Sequence, residues 1–563
     1  MMLLGYAITA SVLFSLAAVL VLAGACRKEI WKVVSKDAGR ADVVAIMMLL
    51  IFFVVFLAVF VHPVEQLYFD ENIYQGIALN ILSHANALWC QYGTGYLKSC
   101  FANQVYHDPA GWPVFIAIAF AIFGIGIGTA YALQVLVGAL SVFGVFLLAG
   151  SITENRQAGI ISALVFSLVP EVLIWSRTEA SIDTPFMMLS VFSFLFFVVF
   201  MKQSNKRTFA LFAFCTALAV YSRLEAALLI PIFLLSYIVF GEGRPMTVIG
   251  TRLRNVWNAV NYDAGFLLIA LLVVAVLFTQ VYYISIEASA PSYGQTGNNL
   301  FSFKNLMSNG KTNILYLMGY FNSSSYYPAV FPVGVTILAI TGAILLAVDR
   351  KEKGRLGVLI MLLAWILSYF LFYGFFYAGG ATFGVDSRFM LEITPGLAIL
   401  AGIGITKAGK IAEIFTRNKR VGTAVCAAII AVLVVFPFVE LLPITTMPTG
   451  SMPQQPVPLG AVSFIQSNYM KVPSDCLVFS FTPDVWYELN RSAAQISYLG
   501  DLNQSSRARF SCFVLDYGYW CAVPPYNTGT CASAKERYDL KTLAIQPASN
   551  GAYYALYQIM NYT

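Results

Sequence analysis

Long apolar runs separated by short polar segments dominate residues 1–440 of the chain. A run of about 20 apolar residues can cross the roughly 30 Å hydrocarbon layer of a membrane as a helix. Runs near or approaching this length occupy residues 3–25, 41–61, 130–150, 158–175, 184–201, 208–222, 224–240, 264–283, 328–348, 356–378, 389–406 and 421–441. This pattern predicts an α-helical polytopic membrane protein with about 12–13 transmembrane helices.

Three apolar stretches need a separate interpretation. Residues 112–127 are apolar enough to span, but only one net crossing fits between the loop before them and the polar segment at Arg156. We therefore expect 112–127 to lie along or partly in the outer leaflet. The stretch 208–240 could be a helical hairpin broken at Arg223. The first run is followed by Cys26-Arg27-Lys28 and no small-residue cleavage site, which predicts a retained helix.

The pattern changes after residue 442. Residues 443–460 are rich in Pro and Gly, which is typical of an extended linker. Beyond it we predict helices at 461–469 and 483–490, the second capped from Thr482, strands at 476–481 and 510–516, and a hairpin formed by 542–546 and 553–559. The predicted organisation is a transmembrane module over 1–442 with its first external loop at 62–111, the linker, and a small α/β domain over 461–563.

Composition supports the membrane interpretation. Hydrophobic residues make up 59% of the chain and charged residues 11%, against about 45–50% and about 25% in ordinary soluble proteins. So few charges cannot cover the surface of a soluble fold. Soluble enzymes, disordered proteins and nucleic-acid binders are therefore excluded, and no nucleic-acid partner is expected.

The net charge of +6 is distributed unevenly. Residues 451–563 are neutral, and most other Lys and Arg residues fall in five segments: 27–40, 202–207, 244–254, 350–355 and 407–420. By the positive-inside rule these segments face the cytoplasm. Segments 62–111, 284–327, 379–388 and everything after 442 are then outside. We expect a multi-pass plasma-membrane protein with an extracytoplasmic C-terminal domain.

The cysteines agree with this sidedness. Most of them lie in segments predicted to be outside, where disulfides form: Cys90, Cys100, Cys476, Cys512, Cys521 and Cys531. Their even number in each segment predicts a Cys90–Cys100 disulfide and two bridges in the tail. The sequence leaves the pairing within the tail open.

Three arginines, Arg177, Arg223 and Arg388, each lie at the predicted outer end of a helix. Ionisable groups at this depth are costly and usually serve a function. The guanidinium group pairs with phosphate through two parallel hydrogen bonds. We therefore predict that these side chains converge on a phosphate-bearing ligand.

Acidic and aromatic residues accompany them. Asp70 and Glu71 begin a predicted amphipathic surface helix, on which Asp70 and Tyr74 share a face. Further candidates for substrate contact are Glu179 and Asp183, four residues apart on one predicted face, and His107 and Asp108, where the chain re-enters the apolar layer.

An external carboxylate and a phosphate-binding arginine cluster suit one reaction. A carboxylate can take the proton from an acceptor hydroxyl that attacks the anomeric carbon of a lipid-linked sugar phosphate. Arginines can stabilise the departing lipid phosphate. The sequence before the tail contains no Walker loop and no Rossmann fingerprint, so nucleotide use is not indicated.

The order of these motifs resembles the GT-C glycosyltransferases of the protein O-mannosyltransferase and aminoarabinose transferase kind. The motifs are the acidic pair of the first external loop, Arg177…Asp183, Ser222-Arg223-Leu224-Glu225, and Asp386-Ser-Arg388-Phe389…Pro395, within residues 41–440. The resemblance implies a GT-C-like fold, Asp70 as the catalytic base with Glu71 beside it, and Arg388 near the lipid phosphate. It also implies a dolichyl- or undecaprenyl-type donor and a protein or envelope-lipid acceptor.

Two motifs of related enzymes are missing. The Lys-Pro-Pro of the aminoarabinose branch is replaced by His107-Asp108-Pro109, which puts that branch's substrate in doubt. The Trp-Trp-Asp-Tyr-Gly signature of oligosaccharyltransferases is absent from the tail.

Other interpretations of the same residues stay open. Asp70 could be a helix N-cap, Arg388 could be an interfacial arginine, and Arg177 or Arg223 could form a structural ion pair with Glu179 or Glu225. A divalent cation such as Mg²⁺ or Mn²⁺ could bind Asp70, Glu71 and Asp183 if the fold brings them together. The alternative function is a transporter or flippase of a lipid-linked or anionic substrate. A sensor that uses the tail is a further option.

Overall fold

The computed structural model is mainly helical. It describes residues 2–34, 39–61, 70–90, 103–104, 106, 108–177, 181–239, 264–287, 301–320, 331–348, 355–377, 379–380, 386–446, 459–496, 499, 510–518, 521, 530–547 and 553–560.

Seventeen helices precede the tail in these residues. They are α1 Met2–Ala25, α2 Arg27–Val34, α3 Arg40–Phe60, α4 Asp70–His84, α5 Gly111–Phe123, α6 Ile127–Thr153, α7 Arg156–Ser167, α8 Pro170–Trp175, α9 Asp183–Gln203, α10 Lys206–Ser222, α11 Leu229–Val239, α12 Ala264–Glu287, α13 Phe303–Leu317, α14 Val333–Val348, α15 Arg355–Phe375, α16 Thr394–Thr416 and α17 Lys419–Thr446. Two 3₁₀ helices, Leu224–Leu228 and Asp386–Met390, and a two-stranded antiparallel sheet of β1 (Trp89–Cys90) and β2 (Asn103–Gln104) complete this part.

Six helices of the described residues are long and apolar enough to cross a membrane: α1, α3, α6, α9, α12 and α15. Shorter apolar helices, α5, the 3₁₀ helix with α11, and α14, lie among them. The predicted multi-pass helical membrane fold is confirmed.

The predicted break at Arg223 is present. Its backbone is extended, with φ −153° and ψ 138°, between α10 and the following 3₁₀ helix. The apolar run 158–175 is also divided, because Pro170 starts α8 after α7 has ended at Ser167.

Helix α5 has 13 residues, about 20 Å at 1.5 Å per residue, which is too short to cross the hydrocarbon layer. It ends at Gly124, whose φ of 95° suits glycine. This length is compatible with the expected position in one leaflet.

Helix α4 differs from the predicted amphipathic surface helix. Its buried residues surround most of its circumference: Glu71, Ile73, Tyr74, Gln75, Ile77, Ala78, Leu79, Asn80 and Ile81. It packs against α5 and β1. The helix is therefore enclosed by other parts of the protein. Such contacts between distant segments cannot be read from the sequence of the helix alone.

Two ion pairs and the α8–α9 loop identify the two ends of α6. Helix α6 has 27 residues and is about 40 Å long. Beyond its last turn, Lys202 pairs with Glu154 at 2.9 Å, and Arg156 pairs with Asp42 at 3.0 Å. Near its first turns, Gln134 donates to the carbonyls of Trp175 and Ser181, both at 3.2 Å. The basic residues and the α8–α9 loop thus lie at opposite ends of α6.

The tail forms a mixed five-stranded sheet. Its elements are α18 Leu459–Asn468, a 3₁₀ helix Tyr469–Lys471, β3 Cys476–Ser480, α19 Pro483–Glu488, β4 Ser492–Gln495, β5 Cys512–Tyr517, α20 Thr530–Arg537, β6 Leu540–Pro547 and β7 Tyr553–Ile559. The strand order is β4-β3-β5-β7-β6. Strand β3 is parallel to β4 and β5, whereas β7 is antiparallel to β5 and β6.

The predicted disulfide-containing α/β tail is confirmed. Cys476 and Cys512, which face each other on β3 and β5, form one disulfide, and Cys521 and Cys531 form the other. The side chain of Cys90 and all of Cys100 lie outside the described residues.

Most of the predicted tail elements are present, including the β6–β7 hairpin. Thr482 is the N-cap residue of α19 as predicted, but its side chain makes no capping hydrogen bond. Strand β4 and helix α20 were not predicted.

Glu488 at the end of α19 joins the tail to the membrane part. Its carboxylate accepts a hydrogen bond from the backbone N–H of Ile127, the first residue of α6. The N–H groups of the first turn of a helix have no partner within the helix, and Glu488 satisfies this one. The tail therefore lies at the same end of α6 as the α8–α9 loop.

A buried carboxyl in the tail predicts a pH-dependent stability. Asp516 accepts hydrogen bonds from Ser480 at 2.6 Å and Trp486 at 3.0 Å, but burial raises its pKa to about 6 from 3.8. Because the folded tail holds this proton more tightly than the unfolded chain, the stabilisation is complete below about pH 4 and is lost as the pH rises through about 6. The expected loss is up to about 3 kcal/mol.

Hydrogen exchange of the β5 amides between pH 4 and 7 measures this loss, after correction for the intrinsic pH dependence of exchange. Asp516→Asn keeps an oxygen acceptor but cannot ionise, so we expect it to flatten the dependence. Asp475 is exposed, so Asp475→Asn is the control and should leave the pH dependence of stability unchanged. If Asp516→Asn and the wild-type protein lost stability equally between pH 4 and 7, the pH dependence could not come from Asp516.

Candidate active site

The centre of the candidate site is an ion-pair group formed by three chain segments. Asp183, the first residue of α9, is 1% exposed. One of its carboxylate oxygens bonds to the guanidinium of Arg223. Arg223 also contacts Glu225 at 3.3 Å. The other oxygen of Asp183 lies 4.0 Å from the guanidinium of Arg388. The structure thus brings together Asp183, Arg223 and Arg388, which the sequence proposed as binding residues.

Aromatic rings pack against the two arginines. The rings of Tyr373 and Phe389 stack with centroids 4.6 Å apart. The guanidinium of Arg223 lies 5.2 Å from the Phe389 centroid and 5.9 Å from that of Tyr373, and the guanidinium of Arg388 lies 5.0 Å from Phe389. Such cation–π contacts in a buried place restrict the guanidinium groups to a few orientations.

Polar anchors position the loop that leads to Asp183. Thr184 donates to the carbonyl of Trp175 at 2.8 Å, and Gln134 of α6 donates to Trp175 and Ser181. Both ends of the α8–α9 loop are therefore fixed to each other and to α6. Arg177 lies in this loop and is half-buried. No contact joins it to the Asp183 group among the described residues.

A second polar contact links α4 to the segment before α5. The hydroxyl of Tyr74 donates to Asp108 at 2.6 Å. Three residues later, Gly111 lies so close to α10 that an added Cβ would be 2.4 Å from the carbonyl oxygen of Tyr221. Tyr221 is two residues before Arg223. The segment that contains Asp108 thus packs against the backbone that leads to Arg223.

The acidic and histidine candidates outside this group are described only in part. Glu71 is fully buried in α4. Asp70 begins the same helix, but its side chain lies outside the described residues, as do His107 and Glu179. Their predicted roles remain predictions.

Sequence reasoning missed two buried acids. Glu392 is fully buried close enough to interact electrostatically with Arg223 and Glu225, and neither of its carboxylate oxygens has a hydrogen-bond partner among the described residues. Glu171 in α8 is fully buried and accepts a hydrogen bond from Tyr316 at 2.5 Å. The position of Glu392 four residues after Arg388 was the only available signal.

The arrangement around Asp183 does not suit a divalent cation. Its two carboxylate oxygens face two guanidinium groups, which would repel a metal ion and occupy the ligand atoms that it needs. The one metal-like cluster among the described residues contains Asp475, Cys476 and Cys512. Those two cysteines form a disulfide, which removes their thiolates as ligands.

Part of the chain matches a known protein family. Residues 107–283 match the family of dolichyl-phosphate-mannose-protein mannosyltransferases, which is less than half of the chain. No curated protein matches the chain in sequence.

Solved structures share the fold over most of this chain. ArnT from Cupriavidus metallidurans with bound undecaprenyl phosphate is 13% identical, with a TM-score of 0.52 over 92% of this chain and 98% of ArnT. An oligosaccharyltransferase from Archaeoglobus fulgidus, tethered to an acceptor peptide, is 12% identical, with a TM-score of 0.50 over 92% of this chain and 74% of that one. This chain has the GT-C fold. At these identities the likeness establishes the fold alone. The predicted GT-C resemblance is confirmed.

Proposed function

We propose that this GT-C protein is a glycosyltransferase. It moves a sugar from a polyprenyl-phosphate donor to a hydroxyl of a protein or of an envelope lipid or glycan. The observation that carries the proposal is the buried group of Asp183, Arg223 and Arg388, at one end of the membrane helices. Two guanidiniums held by one carboxylate and a pair of stacked rings suit an anionic ligand with an apolar tail.

Each step of the proposed reaction has a candidate residue. Asp70 takes the proton from the acceptor hydroxyl as its oxygen attacks the anomeric carbon. The bond between this carbon and the phosphate oxygen breaks, and the lipid phosphate leaves with its charge stabilised by Arg388 and Arg223. Glu71 lies beside the base in α4. No nucleotide takes part in this reaction.

Other residues act by binding or positioning. The Tyr74–Asp108 hydrogen bond ties α4 to α5 and so holds the start of α4, where Asp70 lies. Arg177, His107 and Glu179 are proposed to contact the donor or the acceptor. Asp183 is a positioning residue, because its oxygens orient both guanidinium groups.

We place the site on the outer face of the plasma membrane. Lys202 and Arg156 lie at the other end of α6, and the basic segments should face the cytoplasm. The tail lies at the site's end of α6, so it is proposed to be extracytoplasmic, where its two disulfides would persist.

Reconstituted vesicles test the function directly. Purified protein in proteoliposomes receives radiolabelled mannosyl-phosphoryl and other glycosyl-phosphoryl polyprenols, together with membrane extract as a source of acceptors. Transfer of label to protein or glycolipid, with release of polyprenyl phosphate, is expected. Movement of intact donor between the leaflets without transfer would instead identify a flippase and overturn the proposal.

Arg388→Ala should weaken donor binding. It removes a guanidinium from the proposed phosphate site, and a charge-assisted pair with phosphate contributes about 1.5–3 kcal/mol, so we expect a roughly 10- to 100-fold weaker affinity. Native mass spectrometry with undecaprenyl phosphate measures this change. Arg156→Ala, which breaks the ion pair with Asp42 at the other end of α6, is the matched control. Unchanged affinity in Arg388→Ala would remove this residue from the site.

A further inference from the structure

Helix α13 presents its polar side to the protein and its apolar side outwards. Asn309 and Asn313 are buried, whereas Phe303 is 79% exposed and Met307 is 80% exposed. Ile314 continues the exposed apolar stripe, since positions 303, 307 and 314 share a face at helical spacing. This arrangement is the reverse of a helix on the surface of a soluble protein.

Three asparagines at intervals of four residues form the inward side of α13. Asn305 donates to the carbonyl of Phe375 at 3.2 Å, Asn309 to those of Gly374 and Phe376 at 3.3 and 2.6 Å, and Asn313 to that of Gly379 at 3.0 Å. These carbonyls lie at and beyond the C-terminal end of α15, where a helix cannot satisfy them itself. The asparagines therefore fix α13 across the end of α15.

The position of α13 is the boundary between lipid and water. Helix α15 contains the candidate span Leu356–Phe375, and the asparagines bond to its last turn. At the other end of α13, Thr336 in the first turn of the apolar helix α14 donates to the carbonyl of Leu317 at 2.5 Å. A helix that meets the ends of two apolar helices lies at the depth of the lipid headgroups.

Two lysines lie along one edge of the apolar stripe. Lys304 and Lys311 are seven residues apart, so they project on the same side of α13, and both are exposed. Lysines beside an apolar surface can extend their charged ends to lipid phosphates while their methylene groups stay in the apolar layer. The described residues contain no carboxylate within ion-pair distance of either lysine.

We propose that α13 binds the membrane surface: its apolar stripe enters the acyl chains, and Lys304 and Lys311 contact the phosphates of anionic lipids. The asparagines then hold the end of α15 at the lipid boundary. This lipid contact depends only on the membrane location of the chain and is independent of sugar transfer.

Photocrosslinking tests the lipid contact. p-Benzoylphenylalanine is placed at position 307, or at position 308 on the same turn but off the stripe, and the full chain is reconstituted in phosphatidylcholine with about 30% phosphatidylglycerol. Position 307 should yield phospholipid adducts in mass spectrometry, at least about fivefold more than position 308. An equal yield at both positions, or adducts of 307 with protein only, would overturn the proposal.

The same adducts test the two lysines. The ratio of anionic to zwitterionic lipid among the adducts should exceed the ratio in the vesicle by about fivefold for each lysine that contacts a phosphate. Lys304→Gln together with Lys311→Gln should abolish this enrichment and keep the total yield. The matched control is Lys471→Gln with Lys541→Gln, which removes two exposed lysines of the tail. Enrichment that survives in the first variant would refute the lysine contact.

Discussion

Replacing Asp70 by Asn should abolish sugar transfer while the protein remains folded. In the proposed reaction Asp70 accepts the proton of the attacking hydroxyl, and an amide cannot do this at neutral pH. A positioned general base contributes about 10²- to 10⁴-fold to a rate. We therefore expect turnover to fall by about a thousandfold, with little change in the affinity for undecaprenyl phosphate. Initial rates in proteoliposomes measure the first effect and native mass spectrometry the second.

The control for this experiment is another carboxylate-to-amide change. Asp475→Asn alters an exposed acid in the tail and should leave turnover unchanged. Thermal unfolding of both variants in detergent shows whether α4, which starts at Asp70, still packs against α5. A folded Asp70→Asn protein with full turnover would show that Asp70 is not the general base. Glu71, the neighbouring buried acid, would then be the next candidate for that role.

The helices of this fold were largely predictable because a membrane imposes simple demands on sequence. A spanning segment needs about 20 apolar residues, so α1, α3, α6 and α9 begin and end close to the predicted positions. The β6–β7 hairpin was also predictable from alternation on either side of a turn. In each case the decisive information lies within a short window of the chain.

Contacts between distant segments were not predictable in the same way. The local sequence pattern offers Glu225 as a partner of Arg223, and the two side chains are in contact. Asp183, however, lies 40 residues away along the chain and bonds to the same guanidinium. That pairing depends on how α9 and α10 pack. The burial of α4 and the partner of Glu171 depend on packing for the same reason.

Helix α13 shows a different limit. The segment 284–327 was predicted only as an external loop, because Lys304, Lys311 and three asparagines lower its hydrophobicity. Those asparagines turn out to face the carbonyls at the end of α15. Their polarity thus satisfies backbone groups inside the protein, and does not mark a surface exposed to water.

The second large effect should come from separating Asp183 and Arg223. Both side chains are almost completely buried, at 1% and 10% exposed. Removing Arg223 leaves a buried carboxylate without its nearest cation, and removing Asp183 leaves Arg223 with Glu225 alone at 3.3 Å. Breaking a buried pair in this way costs about 3–5 kcal/mol. Asp183→Asn leaves Arg223 and Arg388 without their shared carboxylate, and Arg223→Gln leaves Asp183 with only the distant Arg388. We expect either change to lower the unfolding temperature in detergent markedly.

The double variant separates the stability of the pair from its role at the site. With Asp183→Asn and Arg223→Gln together neither charge of the pair faces a neutral partner, so the loss should be smaller than the sum of the single losses. What remains is the loss of the longer contacts that Glu225 makes with Arg223 and Arg388 makes with Asp183. The pair Asp42→Asn and Arg156→Gln is the control, because it is more exposed, at 26% and 17%, and should show a coupling below about 1 kcal/mol. Binding of undecaprenyl phosphate should nevertheless stay weak in the double variant, since Arg223 is absent and Arg388 has lost the carboxylate that orients it. Recovery of both stability and donor binding would mean that the ion pair only supports the fold, and the phosphate site would then have to lie elsewhere.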